Sequence, residues 1–251
     1  RVEVLKGPQG TLYGQGSMGG TVRYITNPVS LDNYEGELAT SIYTTKGGDW
    51  SKEQTVVANL PVIDDTLGFR IAATYKDKGG WIDQPAGNIE NANDHELANI
   101  RVKGLWQTSD NLSASAMLIR HRSDVGAPNI INIVGSDSYQ VVPRNGLELA
   151  KTGFSHDYDL YNLVVEYDLG FATLISSSSK LNSEDSVLSS SVFPNYTAFS
   201  PVGILGLESE SLSSLFSQEI RVNGNSNNVK WSAGAFYSDA VTDLSNTAGG
   251  G

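Results

Sequence analysis

Residues 7 to 28 read GPQGTLYGQGSMGGTVRYITNP, and in them Gly14, Gly16 and Gly19 have the G-x-G-x-x-G spacing that lets a backbone turn cradle a pyrophosphate. Val2-Glu3-Val4-Leu5 precedes it as a candidate strand, and Glu35 follows at roughly the distance of a ribose-binding acid. A dinucleotide site also needs a helix after the last glycine, because its free N–H groups face the phosphates. The chain continues instead as Gly20-Thr21-Val22-Arg23-Tyr24-Ile25-Thr26, a β-branched run that reads as a strand and stops at Asn27-Pro28. The spacing is therefore a coincidence, and these glycines are expected to serve tight turns and close backbone packing.

Other chemistries fail on their residue types. Ser17 lacks the Gly that a G-x-S-x-G nucleophile elbow needs at position 15, where Gln15 stands, and no Gly-Lys-Ser or Gly-Lys-Thr exists to form a P-loop. There is no cysteine, which removes disulfides, zinc knuckles and a thiol nucleophile. His95, His121 and His156 lie far apart in sequence without metal-ligand spacing, and each reads as an ordinary polar residue at a strand end. The carboxylate pairs Asp64-Asp65 and Glu184-Asp185 fall in an expected turn and loop, and Asp157 with Asp159 shows no partner for acid–base work. No enzyme and no cofactor are expected. Nor is nucleic acid: the net charge is −11, and the 17 Lys and Arg are scattered rather than clustered. The chain starts at Arg1 with no charged-then-apolar leader, so a signal peptide is expected to lie outside it or to have been removed.

The elements that must position any site are strands. Leu67, Phe69, Ile71, Ala73 and Tyr75 alternate with Gly68, Arg70, Ala72, Thr74 and Lys76, and Ile100, Val102 and Trp106 stand opposite Asn99, Arg101 and Lys103. Tyr161, Leu163, Val165 and Tyr167 oppose Asn162 and Glu166, and Ile220 and Val222 oppose Glu219 and Arg221. About nine strands are expected, at 35–46, 53–62, 66–77, 95–107, 111–122, 157–168, 171–182, 213–223 and 229–241, with at most one helical turn, in 145–152. The serine-rich run 176–191 is read as a strand passing into a loop. The links 61–65, 108–110, 168–170 and 224–228 are short and turn-rich, whereas 78–94, 123–156 and 183–212 are long. In an antiparallel meander alternate links share an end, so the short ones gather at one end and the long ones at the other. A soluble sandwich has no reason to sort them so, but an outer-membrane barrel has: short periplasmic turns, long outer loops and strands apolar outside and polar inside. Tyr43, Tyr75, Trp106, Tyr158, Tyr167, Trp231 and Tyr237 are candidate rim aromatics, and Arg70, Arg101, Lys103, Glu166, Glu219 and Arg221 are assigned to the lumen.

With that architecture in place, the opening segment resembles the end of the plug domain of TonB-dependent outer-membrane receptors. The residues that carry the resemblance are Arg1, Val2, Glu3, Val4, Leu5, Lys6, Gly7, Pro8, Gln9, Gly10, Leu12, Tyr13, Gly14, Ser17, Gly19, Gly20 and Val22. SQEIRVNGNSNNVKWSAGAFYS, residues 217 to 238, looks like a mid-barrel hairpin of the same family. The resemblance implies an all-β fold: residues 1–30 as the C-terminal segment of a plug, and 31–251 as the N-terminal portion of a barrel of about 22 strands. It places the links 47–52, 78–94, 123–156 and 183–212 outside the cell.

The implied function is import of a scarce extracellular solute across a bacterial outer membrane, with a ferric siderophore or similar iron complex the favoured cargo. The implied partners are a TonB-type energy-coupling protein acting through a region upstream of these residues, outer-membrane lipid and lipopolysaccharide, and the extracellular ligand. Trp81, Asn88, Asn129, Tyr139, Arg144, Phe193, Tyr196 and Phe199 are the loop residues expected to grip it, as stacking surfaces with adjacent donors. Arg1, Glu3, Lys6 and Arg23 are expected to pair with wall charges such as Glu219 and Arg221. Uptake of a sugar, cobalamin or aromatic compound by the same route, and a passive porin or adhesion barrel, stay open as alternatives.

Overall fold

The computed structural model describes residues 1–8, 18–83, 89–127, 153–192, 204–226 and 229–250. Eleven strands form two sheets. β1 (Val2–Lys6) and β2 (Gly20–Tyr24) pair with each other antiparallel, Val2 opposite Tyr24 and Lys6 opposite Gly20. The other nine, β3 (Glu35–Thr44), β4 (Trp50–Ile63), β5 (Leu67–Lys78), β6 (His95–Ser109), β7 (Leu112–Val125), β8 (Gly153–Asp168), β9 (Ala172–Val192), β10 (Ile204–Ser226) and β11 (Val229–Gly250), make one antiparallel meander in sequence order. Each sequence-expected strand is present. The meander is not closed: β3 and β11 each have one neighbour.

The turns explain themselves locally. Between β4 and β5 the amide of Thr66 donates to the carbonyl of Ile63 at 3.0 Å, and Asp65 sits at φ 56°, a left-handed conformation that Asp tolerates better than most residues. Asp64-Asp65 is thus turn chemistry. Between β8 and β9 the Asp168 carboxylate accepts the Gly170 amide at 2.7 Å while Gly170 takes φ 82°. Register shifts at Pro61/Ile63 and Gln107/Ser109 both fall beside short turns, where an extra residue lets the chain reverse.

Directly opposed residues share a face, so the registers sort the side chains. Asn59, Arg70, Lys103, Met117, Asn162, Ser179 and Ser217 form one row across β4 to β10. The chain between β2 and β3 lies on this face, which we call inner. The outer face carries Leu38, Val56, Phe69, Tyr75, Ile100, Trp106, Leu118, Leu163, Ile220, Trp231 and Tyr237, all substantially exposed. Among the described residues the buried hydrophobic side chains are Ile82 and the small Ala92, Ala127 and Ala172. The described residues form no interior core, and their apolar surface faces outward as it does in a barrel set in lipid.

Three details differ from the sequence reading. Tyr43 and Tyr158 belong to the inner face; the Tyr43 hydroxyl donates to Glu53 Oε1 at 2.7 Å. Glu184 and Asp185 lie within β9, not in a loop, and the serine run is strand to residue 192. The last strands are also longer than expected, 21, 23 and 22 residues in β9, β10 and β11. At ~3.4 Å per residue these reach far past an apolar band of ~25 Å. Beyond the lipid nothing selects for apolar–polar alternation, so the periodicity that marks a strand in the membrane stops before the strand does.

Candidate functional site

The site is built on the inner wall, and its lowest part is the strap of residues 25–34 that joins the two sheets. Asn59 is fully buried, 0% exposed, beneath it. Its Oδ1 accepts the Ser30 amide at 3.0 Å, and its Nδ2 donates to the carbonyls of Ser30 at 2.9 Å and Asn33 at 2.7 Å. One side chain thereby imitates a strand edge for a segment that has no strand to pair with. Lys103 Nζ donates to the Asn27 carbonyl at 3.0 Å, and Arg70 pairs with Glu35 at 2.6 Å just past the strap's end. Gly68 lets the strap pass close: a Cβ there would stand 3.0 Å from Val29 Cγ1. A cavity of about 300 Å³ remains between strap and wall, lined in part by Thr26, Val29, Lys103, Met117 and Asn162.

In the segment before the strap, β1 and β2 pair with each other. Gly7 holds φ 86°, and its amide meets the Gly19 carbonyl at 3.3 Å. Gly20 holds φ 143°, where a Cβ would fall 2.5 Å from the Leu5 carbonyl oxygen. Gly20 is required by this backbone approach and Gly7 by its left-handed φ, while Gly14 and Gly16 of the opening motif lie outside the described residues. Glu3 stands between Arg1 at 2.7 Å and Arg23 at 3.1 Å. On the wall, Arg221 pairs with Glu219 at 3.0 Å, two residues along the inner face of β10.

Higher on the wall the inner face of β5 and β6 carries Arg70, Lys76, Lys78, Arg101 and Lys103 and not one acid. Lys76 and Lys78 face Glu53 on β4, at 3.3 and 3.9 Å. Arg101 has no carboxylate partner among the described residues. In the next row outward, Asn99 on β6, His121 on β7 and Tyr158 on β8 stand in line. Asn99 Nδ2 and His121 Nδ1 are 3.2 Å apart, and the His121 and Tyr158 rings stack at 4.9 Å, 19° from parallel. His156, hydrogen-bonded to Asp185, lies 5.4 Å from the Tyr158 ring, 5.8 Å from His121 and 6.4 Å from Phe154, nearly parallel to the last. His95 Nε2 contacts Ser123 Oγ at 3.0 Å on the same face.

The histidines that looked unrelated in sequence therefore share one wall. The signal that finds them is register: the short turns after β6 and β8 fix the pairing, and counting outward from each turn brings His121 beside Asn99 and His156 beside Asp185. Among the described residues no group of three or more His, Asp and Glu is arranged to hold a metal ion.

Of the loop residues expected to touch ligand, Trp81 is described. It is half-buried beside the β3–β4 turn, its amide bound to Asn93 Oδ1 at 2.7 Å; the same oxygen accepts the Ile82 amide at 2.8 Å, so Asn93 folds the start of that loop into a compact cap. Asn88, Asn129, Tyr139, Arg144, Phe193, Tyr196 and Phe199 lie outside the described residues, as do Gln9, Gly10, Tyr13 and Gly14.

No protein-family model matches the chain. Solved structures do. The ferric yersiniabactin uptake receptor FyuA of Yersinia pestis superposes with a TM-score of 0.76 at 16% identity, covering 99% of this chain and 37% of the receptor. BauA, the ferric preacinetobactin receptor of Acinetobacter baumannii, gives 0.72 at 17% identity, with 98% and 36% covered. The siderophore receptor PiuA of the same organism gives 0.67 at 15%, with 97% and 35% covered. The chain has the fold of part of a siderophore-receptor β-barrel, and it spans little more than a third of each receptor's length.

Proposed function

We propose that the chain is part of a TonB-dependent receptor of a Gram-negative outer membrane, and that the complete receptor imports a ferric siderophore or similar iron complex. Residues 1–30 are the end of its plug and 31–251 the first part of its barrel. The observation that carries the reading is the strap at residues 25–34, which leads from the motif-bearing β1–β2 sheet onto the inner wall of a meander with a lipid-type outer face. A passive porin has no use for such a connection. The neighbours named for ferric-chelate uptake point to iron as the cargo, and the solute passes unchanged, without covalent chemistry. In this reading a TonB-type protein works the plug from the periplasm, lipid and lipopolysaccharide surround the apolar face, and the described loop start at Trp81 faces outside. Arg23 on the plug and Glu219 and Arg221 on the wall are offered as charges that exchange partners when the plug moves.

The test is deletion of the gene and growth under iron limitation with supplied ferric chelates. The expected result is loss of growth on at least one chelate, restored by the intact gene and not by one whose energy-coupling segment is deleted. Normal growth on every ferric chelate, with loss on a sugar or cobalamin, would transfer the reading to that nutrient. For the exchange pairs, Glu219→Arg is expected to lower energised uptake of the chelate without changing its binding to the resting receptor, and unchanged uptake counts against them.

A further inference from the structure

We propose that residues 27–34 of the strap are a mechanical stop: they stay on the wall when the plug is pulled, so that movement is confined to the chain before Asn27 and β3 is shielded from the pull. The inference rests on the transport reading above, and it moves the boundary between moving and fixed parts from residue 30 to Thr26.

Two sets of bonds meet at that residue. On the plug side the ladder of β1 and β2 runs one step past the strands: the Ile25 amide donates to the Arg1 carbonyl at 2.9 Å, and the Arg1 nitrogen donates to the Ile25 carbonyl at 2.8 Å. On the wall side the Asn27 carbonyl already accepts from Lys103 Nζ at 3.0 Å. Thr26 stands between the two, and its φ and ψ are the soft torsions of the joint. Pro28 sharpens the contrast, because its ring fixes its own φ and holds Asn27 extended.

Beyond the joint the strap is laid across the strands rather than along them. Asn27 is held by β6; Val29 and Leu31 pass over Gly68 of β5, where a Cβ would stand 3.0 and 3.2 Å from their side chains; Ser30 and Asn33 are held by Asn59 of β4. Lys103, Arg70 and Asn59 lie in one row of these three strands, and Arg70 takes Glu35, the first residue of β3, at 2.6 Å. The middle of the strap is also closed on itself, since Ser30 Oγ donates to Asp32 Oδ1 at 2.5 Å and accepts the Asn33 amide at 3.2 Å. A pull arriving from the plug therefore meets Lys103 first and Asn59 next, and it reaches β3 only after both have given way. The second hold is the stronger. Lys103 makes one charge-assisted bond to the strap, whereas Asn59, 0% exposed, makes three where no water replaces a broken one.

The experiment pulls the complete receptor, set in a lipid bilayer, by its N-terminus at constant force and reads the length released, at about 3.5 Å per residue. The expected record is a plug release that ends at Thr26, a pause, and then a separate step of about 28 Å as residues 27–34 come off, before any barrel strand is extracted. Lys103→Met should move the pause about 10 Å further, to Ser30. Asn59→Ala should shorten it about tenfold, the scale of orphaned buried hydrogen bonds, and Arg120→Gln on the outer face should leave it unchanged. Heat-modifiable gel migration checks that each variant is folded; if Asn59→Ala is not, Lys103→Met decides. Release of plug and strap in one step through residue 34 overturns the stop while the plug reading stands. A pause at Thr26 that neither variant alters also overturns it, because the strap is then held by other groups. Extraction that starts with barrel strands, with no earlier plug step, overturns the transport reading and the stop with it.

Discussion

Asn59 sets the energetic stake at the scale of single residues. Removing its side chain leaves the Ser30 amide and the Ser30 and Asn33 carbonyls without their partner in a site closed to solvent. Asn59→Ala is expected to cost about 2 kcal/mol, since each orphaned buried group costs on that order and water repairs part of the loss. The strap should loosen before the wall does, and limited proteolysis of the folded receptor should show new cleavage within residues 25–34. Asn59→Asp keeps an acceptor for the amide but sets a carboxylate oxygen against two carbonyls, so it should be no better than Ala. An Asn59→Ala strap as protease-resistant as the native one would mean that Lys103 and the Gly68 passage suffice. Asn59 was not legible in the sequence: a polar residue on a lumen-facing position needs no special reason, and only the fold shows that the strap passes over it. Arg101 and Lys103, in contrast, were readable as inward charges from alternation alone, although nothing in the pattern tells that Lys103 is the one that binds the strap.

Strands show where alternation fails and why. The outer face of β9 presents Ser176 and Ser178 where β8 presents Val165 and Leu163 at the same level. The polar groups are not wasted on lipid: Gln218 of β10 is hydrogen-bonded to Ser178 and donates from Nε2 to Ser176 Oγ at 3.1 Å. The trio satisfies itself across two strands, and that cross-strand solution is invisible to a one-strand reading of 171–182, which is why the run alternates poorly. Its energetics give an asymmetric expectation. Gln218→Ala alone should lower the unfolding free energy of the receptor in lipid vesicles, read by urea titration, by about 1 kcal/mol, because both serines lose their partner on an apolar surface. Replacing all three by Ala, Ala and Leu should be neutral or stabilising, since no polar group is then left in lipid. A triple variant weaker than the single would show that the trio has another task. The same logic accounts for the strand ends: the band in lipid is legible because the solvent imposes a period, and the projecting parts of β9, β10 and β11 are held by backbone pairing that composition does not announce.

The nine-strand sheet as a whole has two properties that soluble domains avoid together. Its apolar residues lie on an outward face with almost nothing buried, and both β3 and β11 present a strand edge that no described strand covers. Each is an invitation to associate: exposed apolar surface at ~25 cal/mol per Å², and a row of unpaired amides and carbonyls that templates another strand. Loop-length sorting made the barrel legible from sequence, because it follows from which end of each hairpin meets the periplasm; the openness of the sheet follows from counting strands. The 251-residue chain expressed alone in aqueous buffer is therefore expected to aggregate, with light scattering rising within its concentration range and a sheet spectrum retained by circular dichroism. Detergent should reduce the scattering by covering the apolar face, but it offers no partner to the edges, so oligomers held through β3 and β11 should persist. Placing a proline at Thr40 or at Val241, in the middle of each edge strand, removes a donor and should shrink those oligomers without dispersing the buffer aggregates. A monodisperse, water-soluble monomer with the same spectrum would mean that the apolar face is covered from within, and the membrane reading would fall with it.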